Sequence, residues 1–110
     1  MAMAVSEWIH VADVSDVPMG EGIRVEIADQ PVAIWNVDGE FYATSDVCTH
    51  EETSLVYGDL WDGVVECPLH GAQFDVRTGK VLSLPAIFPL PTYPVRVEEN
   101  SIYVGWGTSP

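Results

Sequence analysis

Short apolar segments, separated by polar or turn-forming residues, run along most of the chain. Glu7-Trp8-Ile9-His10-Val11 reads as a first strand, followed by a turn over Val17–Gly22. Ile23–Ile27 alternates apolar and charged residues, the period-two signature of a half-buried strand. Val32–Val37 follows, then Asp38-Gly39, a strong hairpin signal, then Phe41–Thr44. The same turn dipeptide recurs at Asp62-Gly63, between Leu60-Trp61 and Val64–Cys67. Tyr93–Glu98 and Ile102–Trp106, joined through Glu99-Asn100, form a closing hairpin. Nowhere do apolar residues recur at helical spacing for three turns. The pattern predicts an all-β domain of short antiparallel strands, a sandwich or barrel.

Two stretches break the alternation. From Ser45 to Leu60 the chain is polar and irregular, and it holds Cys48, His50, Glu51 and Glu52. Between Leu84 and Pro94 lie Pro85, Pro89, Pro91 and Pro94, half of the chain's 8 prolines. Each proline removes a ladder donor, so this segment is expected to be a stiff connecting loop and not a central strand. Loops held on a rigid scaffold are where function usually sits.

Composition narrows the classes. A chain of 110 residues, 47% hydrophobic and 19% charged, is expected to form one globular domain. No apolar run reaches the roughly 20 residues of a membrane span. The segment from Met1 to Trp8 lacks a basic and then apolar leader, so the cytoplasm is the expected address. Asp and Glu number 17 against four basic residues, Arg24, Arg77, Lys80 and Arg96, for a net charge of −13. That sign excludes ordinary nucleic-acid binding and attraction to anionic membranes. Partners steered by charge should present basic patches.

Cys48 and Cys67 are the only cysteines, and each has a histidine close behind it: Cys48-Thr49-His50 and Cys67-Pro68-Leu69-His70. Sixteen residues separate the two motifs, and the Asp62-Gly63 turn folds that connection back on itself. Two tight turns, each offering one thiolate and one imidazole, supply four metal ligands. A disulfide would not need the histidines, and a cytosolic chain keeps its thiols reduced. Tetrahedral zinc is the main competitor for two sulfur and two nitrogen donors. Common zinc modules, however, pair Cys with Cys and His with His along the chain. Mixed pairs are what a Rieske [2Fe–2S] centre uses. Gly71 lets the backbone approach a cluster closely, and Pro68 stiffens the second turn.

The motif Cys48-x-His50, then Cys67-Pro68-x-His70-Gly71, is similar to the signature of Rieske proteins. With Phe41-Tyr42-Ala43-Thr44 before it and Phe74-Asp75-Val76-Arg77-Thr78-Gly79-Lys80 after, the chain resembles the small Rieske ferredoxins of bacterial aromatic-ring-hydroxylating dioxygenase systems. The likeness runs from Trp8 to Trp106. It implies a Rieske fold in a single domain spanning residues 1–110, with a cluster-binding subdomain at about residues 45–80. It implies that Cys48 and Cys67 hold the inner iron and that His50 and His70 bind the outer, redox-active iron near the surface. The loop around Leu84-Pro85-Ala86 resembles the family's third loop, which covers the cluster.

In respiratory Rieske proteins two further cysteines bridge the loops; Thr53 and Leu69 stand at the matching positions. A serine and a tyrosine that donate to sulfur there are matched by Ala72 and Phe74, which cannot donate. Fewer hydrogen bonds stabilise the reduced cluster less, so the potential should lie near the low end of the Rieske range, roughly −150 mV.

The implied function is one-electron transfer from an NAD(P)H-dependent flavoprotein ferredoxin reductase to the Rieske centre of a terminal oxygenase, by a monomer. A small Rieske subunit of an assimilatory nitrite reductase and a zinc-stabilised interaction module are the alternatives. No nucleophile triad, phosphate loop or His-Glu-x-x-His motif occurs, so no catalytic residue is assigned. With two of three histidines already used, no second iron site of the oxygenase type can be built. His10 reads as a structural or surface residue, and Trp8, Trp35, Trp61 and Trp106 as core or sheet-face packing. Trp61 also stands close enough in sequence to help shield the loops. Glu51 and Glu52 read equally as a docking rim or a solvated loop, and Asp46, Asp59 and Asp62 carry less weight.

Overall fold

The structure is a computed structural model, and it describes residues 7–49, 53–69, 71–84 and 88–107. Eleven strands run β1 Glu7–Asp13, β2 Gly22–Ile27, β3 Gln30–Val37, β4 Glu40–Ser45, β5 Asp59–Trp61, β6 Val64–Glu66, β7 Gln73–Asp75, β8 Val81–Ser83, β9 Thr92–Tyr93, β10 Val95–Glu98 and β11 Ser101–Trp106. They form three antiparallel sheets with strand orders β1-β11-β10, β2-β3-β4-β9 and β5-β6-β7-β8. Short 3-10 turns at Val14–Asp16 and Leu55–Tyr57 are the only helical pieces among the described residues. The all-β expectation holds.

Strand β3 is the shared wall of two cores. Val32 and Ile34 face one way, into a core with Ala12, Val17, Ile27, Ala43, Ile102 and Val104. Ala33, Trp35 and Val37 face the other, into a core with Cys48, Leu55, Val65, Cys67, Ala72, Phe74, Val76 and Leu90. A strand covered on both faces must be apolar at consecutive positions, which is why Val32–Val37 reads as a run and not as an alternation. Its two polar groups are satisfied. Trp35 Nε1 donates to Thr44 Oγ1 at 2.9 Å, and Asn36 Nδ2 donates to the Val17 carbonyl at 2.8 Å.

Both Asp-Gly dipeptides close two-residue hairpins with left-handed backbone, Asp38 and Gly39 at φ 53° and 92°, Asp62 and Gly63 at φ 49° and 77°. Such turns match the twist of the strands they join. Ala28-Asp29 closes the β2–β3 hairpin in the same way, at φ 51° and 64°, without any glycine to signal it. The proline-rich stretch also differs from a pure loop. Thr92-Tyr93, between Pro91 and Pro94, pairs with Thr44-Ala43 as the edge of the second sheet. Prolines are tolerated there because an edge strand leaves one side without ladder bonds.

The third sheet spans Asp59–Ser83 and so reaches past residue 80. Its strands β7 and β8 are each 3 residues long, too short for a period-two pattern to reveal them. His10 is on the surface, with Nε2 3.2 Å from Asp13 Oδ1 and its ring edge-on to Tyr103. Trp8 lies on the same sheet face under the Arg96 guanidinium, 5.0 Å from the ring centroid. Trp106 stacks on Tyr93. Trp61 is 46% exposed and lines a cleft with Gly20, Asn36 and Asp38.

Candidate metal centre

Each cysteine stands where a strand ends and a loop begins. Cys67 follows β6, and its N–H donates to the Ala72 carbonyl at 2.7 Å. Cys48 lies three residues beyond β4, and its N–H donates to the Thr53 carbonyl at 3.1 Å. The two closures have the same span, from residue i to residue i+5. Each therefore encloses one Cys-His motif in a tight loop. Gly71 in the second loop takes φ 73°, a left-handed conformation that suits glycine. Glu66 and Gln73, flanking that loop, are joined by Gln73 Nε2 donating to Glu66 Oε1 at 3.1 Å.

Both side chains are buried in one cluster. Cys48 is 3% exposed and Cys67 1%, and both belong to the apolar cluster of Leu55, Val65, Ala72 and Phe74. Both are thiols and not the two halves of a disulfide. Thr53, in the first loop, is half-buried, and Leu69, in the second, is exposed. Ala72 and Phe74 are fully buried in the same cluster as the thiols, and their side chains carry no hydrogen-bond donor. His50 and His70, with Glu51 and Glu52, lie outside the described residues. Among the described residues no group of three His, Cys, Asp or Glu side chains gathers as a metal site. The described part thus contributes two buried sulfurs, and these fit the thiolate half of a Cys2His2 cluster donor set.

Aspartate 46, given little weight from sequence, is central to the first loop. Its carboxylate is fully buried and accepts from Arg24 Nη1 at 3.3 Å, from the Val56 N–H at 3.0 Å and from Ser54 Oγ. Its backbone N–H donates to the Pro31 carbonyl and its own carbonyl accepts from Leu55 N–H at 2.7 Å. Seventeen acidic residues hid it, since only burial distinguishes it.

The proline-rich loop is anchored on both sides of the centre. Thr49 Oγ1 donates to the Phe88 carbonyl at 2.9 Å, Leu90 N–H to the Gly79 carbonyl at 2.7 Å, and Ser45 N–H to the Pro91 carbonyl at 2.9 Å. Pro85 and Ala86 lie outside the described residues. Leu69 in the second loop, Leu84, and Phe88, whose carbonyl accepts from Thr49, are exposed apolar side chains. A cleft of about 450 Å³ lined by Phe41, Tyr42, Val76, Arg77 and Tyr93 opens elsewhere, away from both cysteines. Beside it Tyr42 donates to Glu40 Oε2 at 2.8 Å, and this bond raises its hydroxyl above the ordinary pKa.

Comparison with known proteins places this geometry in context. Residues 7–94 match the model of the Rieske [2Fe-2S] domain. The chain is 54% identical over 98 residues to the biphenyl dioxygenase ferredoxin subunit of Pseudomonas sp. (strain KKS102), covering 88% of this chain and 90% of that protein. It is 48% identical over 97 residues to the 3-phenylpropionate/cinnamic acid dioxygenase ferredoxin subunit of Escherichia coli (strain K12), covering 87% and 91%. Among solved structures, the complex of reduced oxygenase and oxidized ferredoxin in carbazole 1,9a-dioxygenase contains a chain that superposes with a TM-score of 0.87. That match has 39% identity and covers 94% of this chain and 96% of the other.

Proposed function

The chain belongs to the Rieske [2Fe–2S] family, and from that premise we propose that it is a one-electron carrier of an aromatic-ring-hydroxylating dioxygenase system. It takes electrons from an NAD(P)H-dependent flavoprotein ferredoxin reductase and passes them to the Rieske centre of a terminal oxygenase. Cys48 and Cys67 are the thiolate ligands, and His50 and His70 are the imidazole ligands. When bound, the cluster supplies a single reversible electron, at a potential raised by the two neutral imidazoles. The chain's own residues do the rest. Burial of both sulfurs in the Leu55–Val65–Ala72–Phe74 cluster keeps water from them. The bonds of Cys48 N–H to the Thr53 carbonyl and of Cys67 N–H to the Ala72 carbonyl tie each cysteine's backbone to the scaffold.

The observation that carries this reading is the placement of both thiols in one apolar cluster, each at the mouth of a loop closed in the same way. Leu69, Leu84 and Phe88 form the apolar part of the docking face, and the net charge of −13 steers it towards basic partners. No helix among the described residues is long and apolar enough to cross a membrane. The carrier acts as a monomer in the cytoplasm, where NAD(P)H is regenerated.

The test is anaerobic stopped-flow mixing of the reduced protein with a terminal ring-hydroxylating oxygenase at two ionic strengths. Bleaching of the oxygenase centre, with a rate that falls as salt rises, is the expected outcome. Failure to reduce the oxygenase, together with transfer to an assimilatory nitrite reductase, would assign the chain to that other system.

A further inference from the structure

We propose that Asp46 is the positioning residue of the first ligand loop, clasping its two ends so that the Cys48 sulfur is held in place for the cluster. The proposal rests on Cys48 being a ligand. Asp46 stands at the loop's entrance, and three of its contacts, through Ser54, Leu55 and Val56, lie just past its exit. Between these ends the loop is closed a second time, by Cys48 N–H on the Thr53 carbonyl. A Val47–Ser54 bridge lies between the two closures. The entrance is itself pinned to the scaffold by the Pro31 carbonyl on β3 and by Arg24 on β2.

A fully buried carboxylate is a costly choice for this place, and no catalytic use accounts for it. It is tolerated because each oxygen is satisfied: Oδ1 by the Val56 N–H, Oδ2 by Arg24 and Ser54. Removing it leaves a guanidinium, a hydroxyl and a backbone N–H without their acceptor. The loop ends then separate, and Cys48, two residues on, moves with them. An asparagine keeps the Val56 bond through its carbonyl oxygen but sets an amide donor against the Arg24 guanidinium. It should rescue in part.

The experiment compares the loaded wild-type protein with Asp46→Ala, Asp46→Asn, Ser54→Ala and Cys48→Ser. Cluster loss to a chelator and the EPR g-values of the dithionite-reduced state are read, with far-UV circular dichroism as the control for fold. Asp46→Ala should lose its cluster at least roughly 10-fold faster than wild type, the scale typical of groups that orient metal ligands. Its g-values should shift and its circular dichroism stay unchanged, with Asp46→Asn intermediate on both readouts. Wild-type g-values and wild-type release in Asp46→Ala would overturn the proposal. Should Asp46→Ala not fold, Ser54→Ala decides in the same way, because it removes one contact of the clasp and leaves the carboxylate in place. Cys48→Ser should fail to hold the cluster whatever Asp46 does. If it retains a normal Rieske spectrum, the ligand assignment falls, and the positioning role with it.

Discussion

Gly58 offers the sharpest test of how the second loop is held. It stands between the 3-10 turn Leu55–Tyr57 and β5, with its Cα against the carbonyl of Glu66, the residue just before Cys67. A methyl group added there overlaps that carbonyl oxygen and lies 3.2 Å from Pro68 Cδ. Because Cβ atoms essentially never approach other heavy atoms within 3.0 Å, the two backbones must part by about 1 Å. Neither is the free end of a side chain, so the strain cannot be relieved by a rotamer change. Overpacking of this kind costs about 1–3 kcal/mol. Loosening the adjoining Asp59–Glu66 ladder bonds adds about 1 kcal/mol each. A total of about 2–4 kcal/mol corresponds to a Tm lowered by roughly 10–20 °C in a domain of this size.

Gly20→Ala is the control. Gly20 has φ +78° and nothing within 4 Å of an added Cβ, so its substitution costs only the left-handed backbone strain, about 1 kcal/mol. Thermal unfolding followed by circular dichroism compares the two, and the visible spectrum reports cluster retention. Gly58→Ala should melt well below Gly20→Ala and bleach faster, since the displaced carbonyl carries Cys67 with it. Equal Tm values for the two variants would refute the close-approach account.

Other consequences are more local. Ala28 holds φ 51° in a two-residue hairpin, so Ala28→Gly should raise stability by about 0.5–1 kcal/mol, measured as the midpoint of urea unfolding. Burial raises the Tyr93 hydroxyl above its ordinary value of 10.0. A folded-state pKa above the unfolded one means that this contribution is complete below pH 10.0 and is lost as pH climbs through the raised value. Tm should therefore fall more steeply on the alkaline side in wild type than in Tyr93→Phe. The side chains of Ala72 and Phe74 carry no donor, so protein-film voltammetry should give a midpoint of roughly −150 mV, and Ala72→Ser with Phe74→Tyr should move it upwards. No movement would mean that the added hydroxyls do not reach sulfur.

The parts of the fold legible in the sequence were those with a local signature. Asp38-Gly39 and Asp62-Gly63 announced their hairpins because few residue pairs take two successive left-handed conformations. Ala28-Asp29 does the same without glycine, forced by the pairing of β2 with the doubly covered β3, and local propensity is blind to that. Strands β7 and β8 were hidden by their length. Strand β9 was hidden by its flanking prolines, which an edge position tolerates. The two cysteines were legible as candidate ligands because spacing in mixed Cys-His pairs is chemically specific. Asp46 was not, because its role comes from partners at residues 24, 54 and 56, which only the folded chain brings together.

The central claim, two thiolates and two imidazoles holding a diiron cluster, is tested most directly by iron and sulfide analysis joined to EPR of the dithionite-reduced, freshly isolated protein. Equal iron and acid-labile sulfide, with a rhombic spectrum whose average g lies below that of the free electron, is the predicted result. That spectrum should disappear or change type in His50→Cys and His70→Cys. A colourless protein with stoichiometric zinc and no sulfide would contradict it.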